Sequence, residues 1–479
     1  VTDSLPTPVC RRGTPMSKED LGELLDKDGR LVDEHALRKA VFMGGVDPSV
    51  RKQVWQFLFG LYPCSSTTRY INYASELSLV FSTLREREVL LLDYIMKYHE
   101  QISRWKTMLM LNAKPGASLL QQGLVARYQI EDSNNELRSP EDMLEDPISE
   151  YEMLEKNMMA GKMRSGKPDF NSLSKNFHAI DISSPEMQQK MDFMKIQAQV
   201  YVNRQKIDVK SLWSHIRVID KDVPRTDRDL DYFKGAMNPT LTVLRNILIT
   251  FSAFNSDIGY AQGMNDILAQ FLVVFDSEVE AYWCFSNYMK KIQREFTEDG
   301  MVNKISLVAL LLQEMDPALY EHLKANDLGD LLFCHRWLLL GFKREFKFMD
   351  SLRCFEILSS HHLELTSMEA DKARRHELQK EFEHLRGVQR STAPTDTDTE
   401  YTFELFMCIA LLQKARSDLM ECTDTAMVFS IINQLEINLD DILLKSAELF
   451  YFYCKKTVED SFLLVDAPKP QGLKPNYKR

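Results

Sequence analysis

Two short stretches, Ile219-Asp-Lys-Asp-Val-Pro-Arg-Thr226 and Tyr260-Ala-Gln-Gly-Met-Asn265, organise the rest of this 479-residue chain. The first places the carboxylate of Asp222 three residues before Arg225, and the proline between them restricts the backbone. The second places the carboxamide of Gln262 directly before a glycine, at the predicted start of a helix. Neither stretch contains a nucleophile, a metal-ligand set or a phosphate-binding loop. The groups that stand out for chemistry are therefore the guanidinium of Arg225 and the carboxamide of Gln262.

The sequence on either side of these stretches has the periodicity of helices. Asp47-Pro48 and Asn238-Pro239 each combine a capping side chain with a proline that suits the first helical position. Further helices are predicted at residues 18–25, 34–42, 72–112, 210–218, 279–294, 305–323, 328–343, 350–359, 404–414, 424–435 and 440–455. No series of segments has the alternation of β-strands, so the predicted fold class is all-α.

Composition excludes several classes of protein. The net charge of −11 is opposite in sign to that of a general nucleic-acid or anionic-membrane binder. No run of apolar residues is long enough for a transmembrane helix. The eight cysteines form no C-x-x-C pair and lie mostly among apolar residues, which is typical of buried thiols in the reducing cytoplasm. The paired histidines His361 and His362 lack a third ligand at useful spacing, so no metal site is predicted.

Each of the two stretches has an ordinary structural interpretation when it is taken alone. Asp222 and Arg225 could form a surface ion pair that contributes little to stability, and Gln262 could be a residue at a helix entrance above a buried Tyr260. Taken together they suit the hydrolysis of a nucleoside triphosphate on another protein. That reaction needs a cation on the developing phosphate charge and a group that orients the attacking water.

Four motifs, in order along the chain, resemble those of the TBC-domain family of GTPase-activating proteins for Rab GTPases. The family's I-x-x-D-x-x-R and Y-x-Q-G-M patterns are matched by Ile219, Asp222, Arg225 and the following Thr226, and by Tyr260, Gln262, Gly263 and Met264. The R-x-x-V-W-x-x-L pattern is matched by Arg51, Val54, Trp55 and Leu58, and the R-W pair followed by R-E-F is matched by Arg336, Trp337, Arg344, Glu345 and Phe346.

The resemblance implies a mechanism with two catalytic side chains. Arg225 is then the arginine finger and Gln262 the glutamine finger, each supplied to the active site of the partner. Asp222 holds the arginine, Tyr260 supports the glutamine loop and Gly263 permits close approach of the partner. Ile219, Thr226 and Met264 are expected to support the same stretches, whereas Asn265 and Arg336 are expected to bind the partner.

The resemblance also implies a two-lobed helical TBC domain, interrupted by two inserts. The expected segments are a flexible N-terminal segment at 1–16, N-terminal helices at 17–112, an acidic and largely disordered insert at 113–183, the catalytic part at 184–363, a charged insert at 364–400, C-terminal helices at 401–465 and a basic tail at 466–479. The two inserts are departures from the family pattern.

The partner implied by the resemblance is a Rab small GTPase, which would bring GTP and Mg²⁺ with it, so no cofactor of the chain's own is expected. The expected setting is vesicle trafficking in the cytoplasm, with recruitment to membranes through the Rab. The alternative to a GTPase-activating protein is a Rab-binding scaffold or adaptor with little catalytic activity.

Overall fold

The structure is a computed structural model that describes residues 12–68, 86–111, 185–235, 238–363 and 401–466. Every named element in these ranges is a helix, and the extended backbone pairings there are limited to the isolated bridges Met16–Val46 and Leu25–Leu31. The all-α fold class predicted from the sequence is confirmed. The predicted inserts at 113–183 and 364–400 lie outside the described residues.

The chain divides into two compact units. The N-terminal unit comprises Pro15–Val41 and Gly45–Glu298, and the C-terminal unit comprises Val1–Thr14, Phe42–Gly44 and Asp299–Arg479. Both stretches that organise the sequence belong to the N-terminal unit.

The first nine described helices lie wholly or mostly within the N-terminal unit. They are α1 (Lys18–Leu24), α2 (Glu34–Gly44, whose last three residues are assigned to the C-terminal unit), α3 (Pro48–Leu58), α4 (Glu86–Leu111), α5 (Pro185–Asn203), α6 (Val209–Asp222), α7 (Pro239–Phe254), α8 (Met264–Phe275) and α9 (Glu278–Lys291). Short 3₁₀ turns follow α6 at Val223–Arg225 and α9 at Gln293–Phe296.

Local signals set several helix boundaries as the sequence predicts. The Asp47 side chain accepts a hydrogen bond from the Ser49 N–H, and Asn238 accepts one from the Thr240 N–H, so both residues are N-caps. Gly60, just beyond α3, has φ = 66°, a left-handed conformation that glycine adopts without strain.

Aromatic packing attaches α3 to α8. The Trp55 ring is fully buried and makes edge contacts with Phe271 and Phe275 at centroid distances of 5.5 and 6.3 Å. On the same helix pair, the Lys52 ammonium donates to the Phe275 carbonyl oxygen at 3.0 Å. The tryptophan motif therefore anchors the helix whose first turn carries the glutamine stretch.

The remaining helices build the C-terminal unit around one apolar core. They are α10 (Glu298–Met315), α11 (Pro317–Ala325), α12 (His335–Leu339), α13 (Phe348–Ser359), α14 (Phe403–Lys414), α15 (Arg416–Leu419), α16 (Thr425–Gln434) and α17 (Leu439–Asp466), with 3₁₀ turns at Leu332–Cys334 and Lys343–Glu345. Helix α14 is buried along most of its length and packs against α17.

Two of the predicted helices in this unit are wrong in their extent. The predicted helix 305–323 is broken because Asp316 caps a new helix and Pro317 occupies its first position. The predicted helix 328–343 is reduced to the short α12 between 3₁₀ turns. Leu331 and Phe342 have φ of 52° and 62°, which an α-helix cannot accommodate.

Residues 12–16 are the described part of the flexible segment that is predicted for residues 1–16. Within the C-terminal unit, the Arg12 guanidinium donates to the Phe42 carbonyl oxygen at 2.6 Å and the Gly13 N–H donates to the Met43 carbonyl oxygen at 2.9 Å. Within the N-terminal unit, Met16 is buried and its N–H donates to the Gly45 carbonyl oxygen. These residues are held by hydrogen bonds to backbone carbonyl oxygens, which no local pattern in the sequence predicts.

Two further expectations concern cysteines and membrane spans. Six cysteines of the described ranges are free thiols, and five of them are buried. Within the described parts of the chain, no helix combines the length and the apolar character needed to cross a bilayer.

Candidate functional site

Arg225 reaches solvent from the end of a rigid helix. Helix α6 buries Leu212, Ile216 and Ile219 against the core and ends at Asp222. The chain then tightens into the 3₁₀ turn Val223–Arg225, which contains Pro224 at its second position. The side chain of Arg225 is 62% exposed, whereas that of Asp222 is 2% exposed. The turn therefore exposes a cation directly above a buried carboxylate.

Gln262 lies on a bend directly before helix α8. Gly263 caps this helix with φ = 103°, a conformation in which a side chain would be strained. Gln262 is exposed, while the next four residues, 263–266, are all buried. The Met264 sulfur accepts a hydrogen bond from the Ala261 N–H at 3.4 Å, which closes the bend from beneath. The left-handed conformation of residue 263 thus explains both why helix α8 begins here and why this position is a glycine.

Asp222 connects the two stretches through its carboxylate. One oxygen, Oδ1, accepts a hydrogen bond from Arg225 Nη2 at 2.5 Å, and the other, Oδ2, accepts from the Tyr260 hydroxyl at 2.7 Å. The carboxylate is buried, so it must be paired to be tolerated there. Its two partners come from both stretches, since Tyr260 lies 38 residues from Asp222 in the chain. The ion pair therefore differs from an ordinary exposed one.

Tyr260 remains a neutral hydrogen-bond donor in this arrangement. Burial, followed by the hydrogen bond to the Asp222 carboxylate, raises the pKa of the Tyr260 hydroxyl far above its usual value. Because that hydroxyl carries a single proton, the charged oxygen at 2.7 Å is its principal acceptor, and the Asn265 Oδ1 atom lies 3.1 Å away.

A second set of hydrogen bonds runs beside the first. The Asn265 amide donates from Nδ2 to Thr226 Oγ1 at 2.9 Å, and the Thr226 hydroxyl donates to the Asp222 carbonyl oxygen at 2.9 Å. On its other side, Asn265 Oδ1 accepts from the Gly263 N–H at 3.2 Å. The site residues Asp222, Thr226, Gly263 and Asn265 are all buried.

The two residues expected to bind a partner, Asn265 and Arg336, have hydrogen-bond partners within the chain. Asn265 is 5% exposed and uses both ends of its amide within the chain. Arg336 belongs to the C-terminal unit, where its guanidinium pairs with the Glu345 carboxylate at 2.7 Å and donates to Asn433 Oδ1 at 2.6 Å. Direct partner binding by Asn265 and Arg336 stays a prediction. In the R-W and R-E-F motif, Arg336 and Glu345 form an ion pair with each other.

A contact beneath the loop was not predicted from the sequence. Gly259, which precedes Tyr260, has φ = 63°, and a Cβ atom at this position would lie 2.5 Å from Cε1 of His215 on α6. Desolvation lowers the pKa of the His215 imidazole below its usual value. In the sequence, Gly259 directly before Tyr260 is the feature that could have indicated close packing here. Its neighbour His215 lies 44 positions earlier in the chain, so no local pattern connects the two.

Comparison with known proteins shows which family the chain is similar to. Residues 170–369 match the family model of the Rab-GTPase-TBC domain. The human protein TBC1 domain family member 17 is 26% identical over 355 residues, which cover 74% of this chain and 38% of that protein. The GTPase-activating protein GYP7 of Saccharomyces cerevisiae is 40% identical over 132 residues, covering 27% of this chain and 18% of that protein.

Over residues 170–369 the chain is therefore similar to the TBC-domain family. It spans less than two fifths of the length of these curated relatives. The crystal structure of the Ypt/Rab-GAP domain of Gyp1p also matches, with a TM-score of 0.49 and 15% identity over 92% of this chain and 98% of that one.

Proposed function

We propose that this protein stimulates GTP hydrolysis by a Rab GTPase, with Arg225 as the arginine finger and Gln262 as the glutamine finger. The observation that supports the proposal best is that these two side chains are exposed while their supports, Asp222 and Tyr260, are buried and hydrogen-bonded to each other. The match to the Rab-GTPase-TBC domain and the similarity to a GTPase-activating protein support the same class of activity.

The proposed chemistry follows from what GTP hydrolysis requires. Negative charge develops on the transferred phosphoryl group, and a guanidinium placed against it stabilises the transition state. Arg225 is suited to this role because Asp222 already restricts its orientation, so less conformational entropy is lost when it enters the site of the partner. The amide of Gln262 can accept from and donate to a water molecule, and thereby orient it for attack. The GTP and Mg²⁺ belong to the partner.

The cellular setting is part of the proposal. A Rab that is anchored to a vesicle or organelle would bring the protein to that membrane from the cytoplasm. No membrane-binding element of the chain's own is needed for this.

Single-turnover hydrolysis by a panel of GTP-loaded Rab proteins tests the activity. With a responsive Rab, Arg225→Ala should lower the stimulated rate by about 10³-fold or more, the range measured for arginine fingers. Arg225→Lys should also fail, because an ammonium lacks the planar fork of a guanidinium. Gln262→Ala should impair hydrolysis as well. Arg204→Ala, which removes an exposed arginine outside the site, is the matched control.

Binding to a transition-state mimic separates this activity from that of a scaffold. If the fingers are catalytic, the protein binds a Rab with GDP and aluminium fluoride more tightly than a Rab with GDP alone, and Arg225→Ala removes the difference. Equal affinity for both states, together with unimpaired hydrolysis by the Arg225→Ala and Gln262→Ala variants, would contradict the proposal. It would favour the Rab-binding scaffold.

A further inference from the structure

We call the 3₁₀ turn Val223–Arg225 the arginine turn, and the bend at residues 260–263 the glutamine bend. Two hydrogen-bond routes join them. The first runs from Arg225 through the Asp222 carboxylate to the Tyr260 hydroxyl. The second runs from the Asp222 backbone carbonyl through Thr226 and Asn265 to the Gly263 backbone N–H. The second route ends on the residue next to Gln262.

The orientation of the Asn265 amide is determined by its surroundings. The Gly263 N–H can only donate, so the amide atom that faces it is Oδ1. The Thr226 hydroxyl gives its proton to the Asp222 carbonyl oxygen, so it accepts from Nδ2 of Asn265. Each donor in the route therefore meets an acceptor, and all of these residues are buried, where an unpaired group is costly.

We propose that Asn265 and Thr226 are positioning residues, which hold the glutamine bend in register with the arginine turn so that the two fingers enter a partner as one preset unit. The inference rests on the proposed function for its catalytic consequence. In this proposal the buried Asn265 acts by holding the glutamine bend, and not by contact with the partner.

A positioning role suits this bend because it contains a glycine. Gly263 sits in a left-handed conformation that glycine leaves more easily than other residues, since it has access to more backbone conformations. The Asn265 side chain fixes the N–H of that same glycine. Displacement of a catalytic group by about 1 Å can reduce a rate by about 100-fold, so loss of this restraint should affect catalysis more than binding.

Hydrogen exchange tests the positioning without any assay of hydrolysis. In Asn265→Ala and Thr226→Val, exchange of the Gly263 amide and its neighbours in 260–264 should be at least about tenfold faster than in the parent protein. Thr226→Ser retains the hydroxyl and should keep the parental protection. Thr242→Val is the control for an apolar change at a buried threonine, because the Thr242 hydroxyl has no hydrogen-bond partner among the described residues. Parental protection in Asn265→Ala and Thr226→Val would overturn the inference.

Kinetics with a responsive Rab test the catalytic consequence. Asn265→Ala and Thr226→Val should lower kcat by about 10- to 100-fold with KM changed less than about threefold, since the restraint affects the geometry of the transition state. Thr226→Ser and Thr242→Val should retain the parental kcat. A raised KM with parental kcat, or equal effects of Thr226→Val and Thr226→Ser, would contradict the positioning role.

A double-mutant cycle shows whether Asn265 acts through Gln262. In a Gln262→Ala background, adding Asn265→Ala should lower the rate by less than about threefold, because residues that act as a unit are not additive. A full multiplicative loss would indicate a general structural effect and would overturn the inference. Failure of Arg225→Ala and Gln262→Ala to reduce the rate would contradict the proposed function, whereas normal finger effects without any Asn265 effect would contradict only this inference. If Asn265→Ala fails to fold, the comparison of Thr226→Val with Thr226→Ser decides.

Discussion

At the scale of single residues, the site depends on how a buried carboxylate is shared. Asp222 gives one oxygen to an exposed arginine and the other to a buried tyrosine. A carboxylate that has lost either partner keeps an unsatisfied oxygen in a desolvated place. The stability of the unit and the orientation of Arg225 should therefore respond together to changes at this position.

Tyr260→Phe isolates the hydroxyl of this pair. We expect the free energy of unfolding to fall by about 1.5–3 kcal/mol, the range for hydrogen bonds to charged groups, and stimulated hydrolysis to slow with it. Urea unfolding and single-turnover hydrolysis measure the two effects. Tyr94→Phe is the matched control, because the Tyr94 hydroxyl donates to the neutral Leu61 carbonyl oxygen at 3.2 Å. Equal losses in the two variants would show that the charge on Asp222 contributes nothing.

Gly259→Ala tests the packing under the glutamine bend. The added methyl group would meet the His215 ring at 2.5 Å and would also be strained at φ = 63°. We expect a loss of about 1–3 kcal/mol in stability from the strained backbone and the overlap together. Gly235→Ala is the control, because Gly235 has φ = 99° and a methyl group added there would meet no other atom of the described residues within 4 Å.

The same experiment can separate overlap from backbone strain. Shortening the opposing side chain in the double variant Gly259→Ala, His215→Ala should recover part of the stability lost in Gly259→Ala. Thermal unfolding of the four proteins of this cycle provides the measurement. If the double variant recovers nothing, the ring contact has no part in the preference for glycine.

At the scale of helices, the acid at the start of α9, Glu278, couples α4 to α9. The Tyr98 hydroxyl donates to Glu278 Oε1 at 2.7 Å, and Tyr98 is fully buried. Part of Glu278 reaches the surface, but the end of its carboxyl group lies inside against this tyrosine. Burial raises the pKa of Glu278 from 4.5 to about 7, against the opposing effects of the Tyr98 hydrogen bond and of Lys106.

The raised pKa of Glu278 predicts a pH dependence with a definite sign. The folded state holds this proton more tightly than the unfolded state, so its contribution to stability is complete below about pH 4.5 and is lost as the pH rises through about 7. Glu278→Gln keeps an acceptor for Tyr98 without the charge. The variant should be more stable than the parent at pH 8, and the difference should shrink toward pH 5.

Denaturant unfolding at several pH values measures this difference. Glu436→Gln, at an exposed position that forms no ion pair within the described ranges, controls for the loss of one negative charge. A Glu278→Gln variant whose stability runs parallel to that of the parent from pH 5 to 8 would show that this carboxyl group does not titrate there.

At the scale of the whole molecule, every residue of the proposed site belongs to one compact unit. Arg225, Gln262 and the five buried residues that join them lie within the N-terminal unit, the five being Asp222, Thr226, Tyr260, Gly263 and Asn265. The segment 113–183 lies between α4 and α5, outside these residues. The hydrogen bonds that join the stretch of Arg225 to the stretch of Gln262 are therefore formed without this segment.

Replacement of residues 113–183 by a glycine-serine linker should leave stimulation of a responsive Rab within about threefold, a change of about 0.7 kcal/mol in barrier height. Helices α4 and α5 are also joined directly, since Arg104 and Asn203 are hydrogen-bonded. A linker variant carrying Arg225→Ala gives the background rate. A loss comparable to that of Arg225→Ala in the folded linker variant would assign the segment a part in catalysis.

The amino-acid sequence alone determined the features that depend on near neighbours. These features are the caps at Asp47 and Asn238, the helical fold class and the spacing of Asp222 to Arg225. Each can be predicted from a few neighbouring residues, because capping and helical periodicity act over one or two turns. Only the tertiary structure decided that Asn265 faces inward to Thr226, 39 residues away, and that His215 lies under Gly259. These contacts are formed by helices that pack after long intervening segments, and no local pattern of residue types encodes which buried polar groups will then meet.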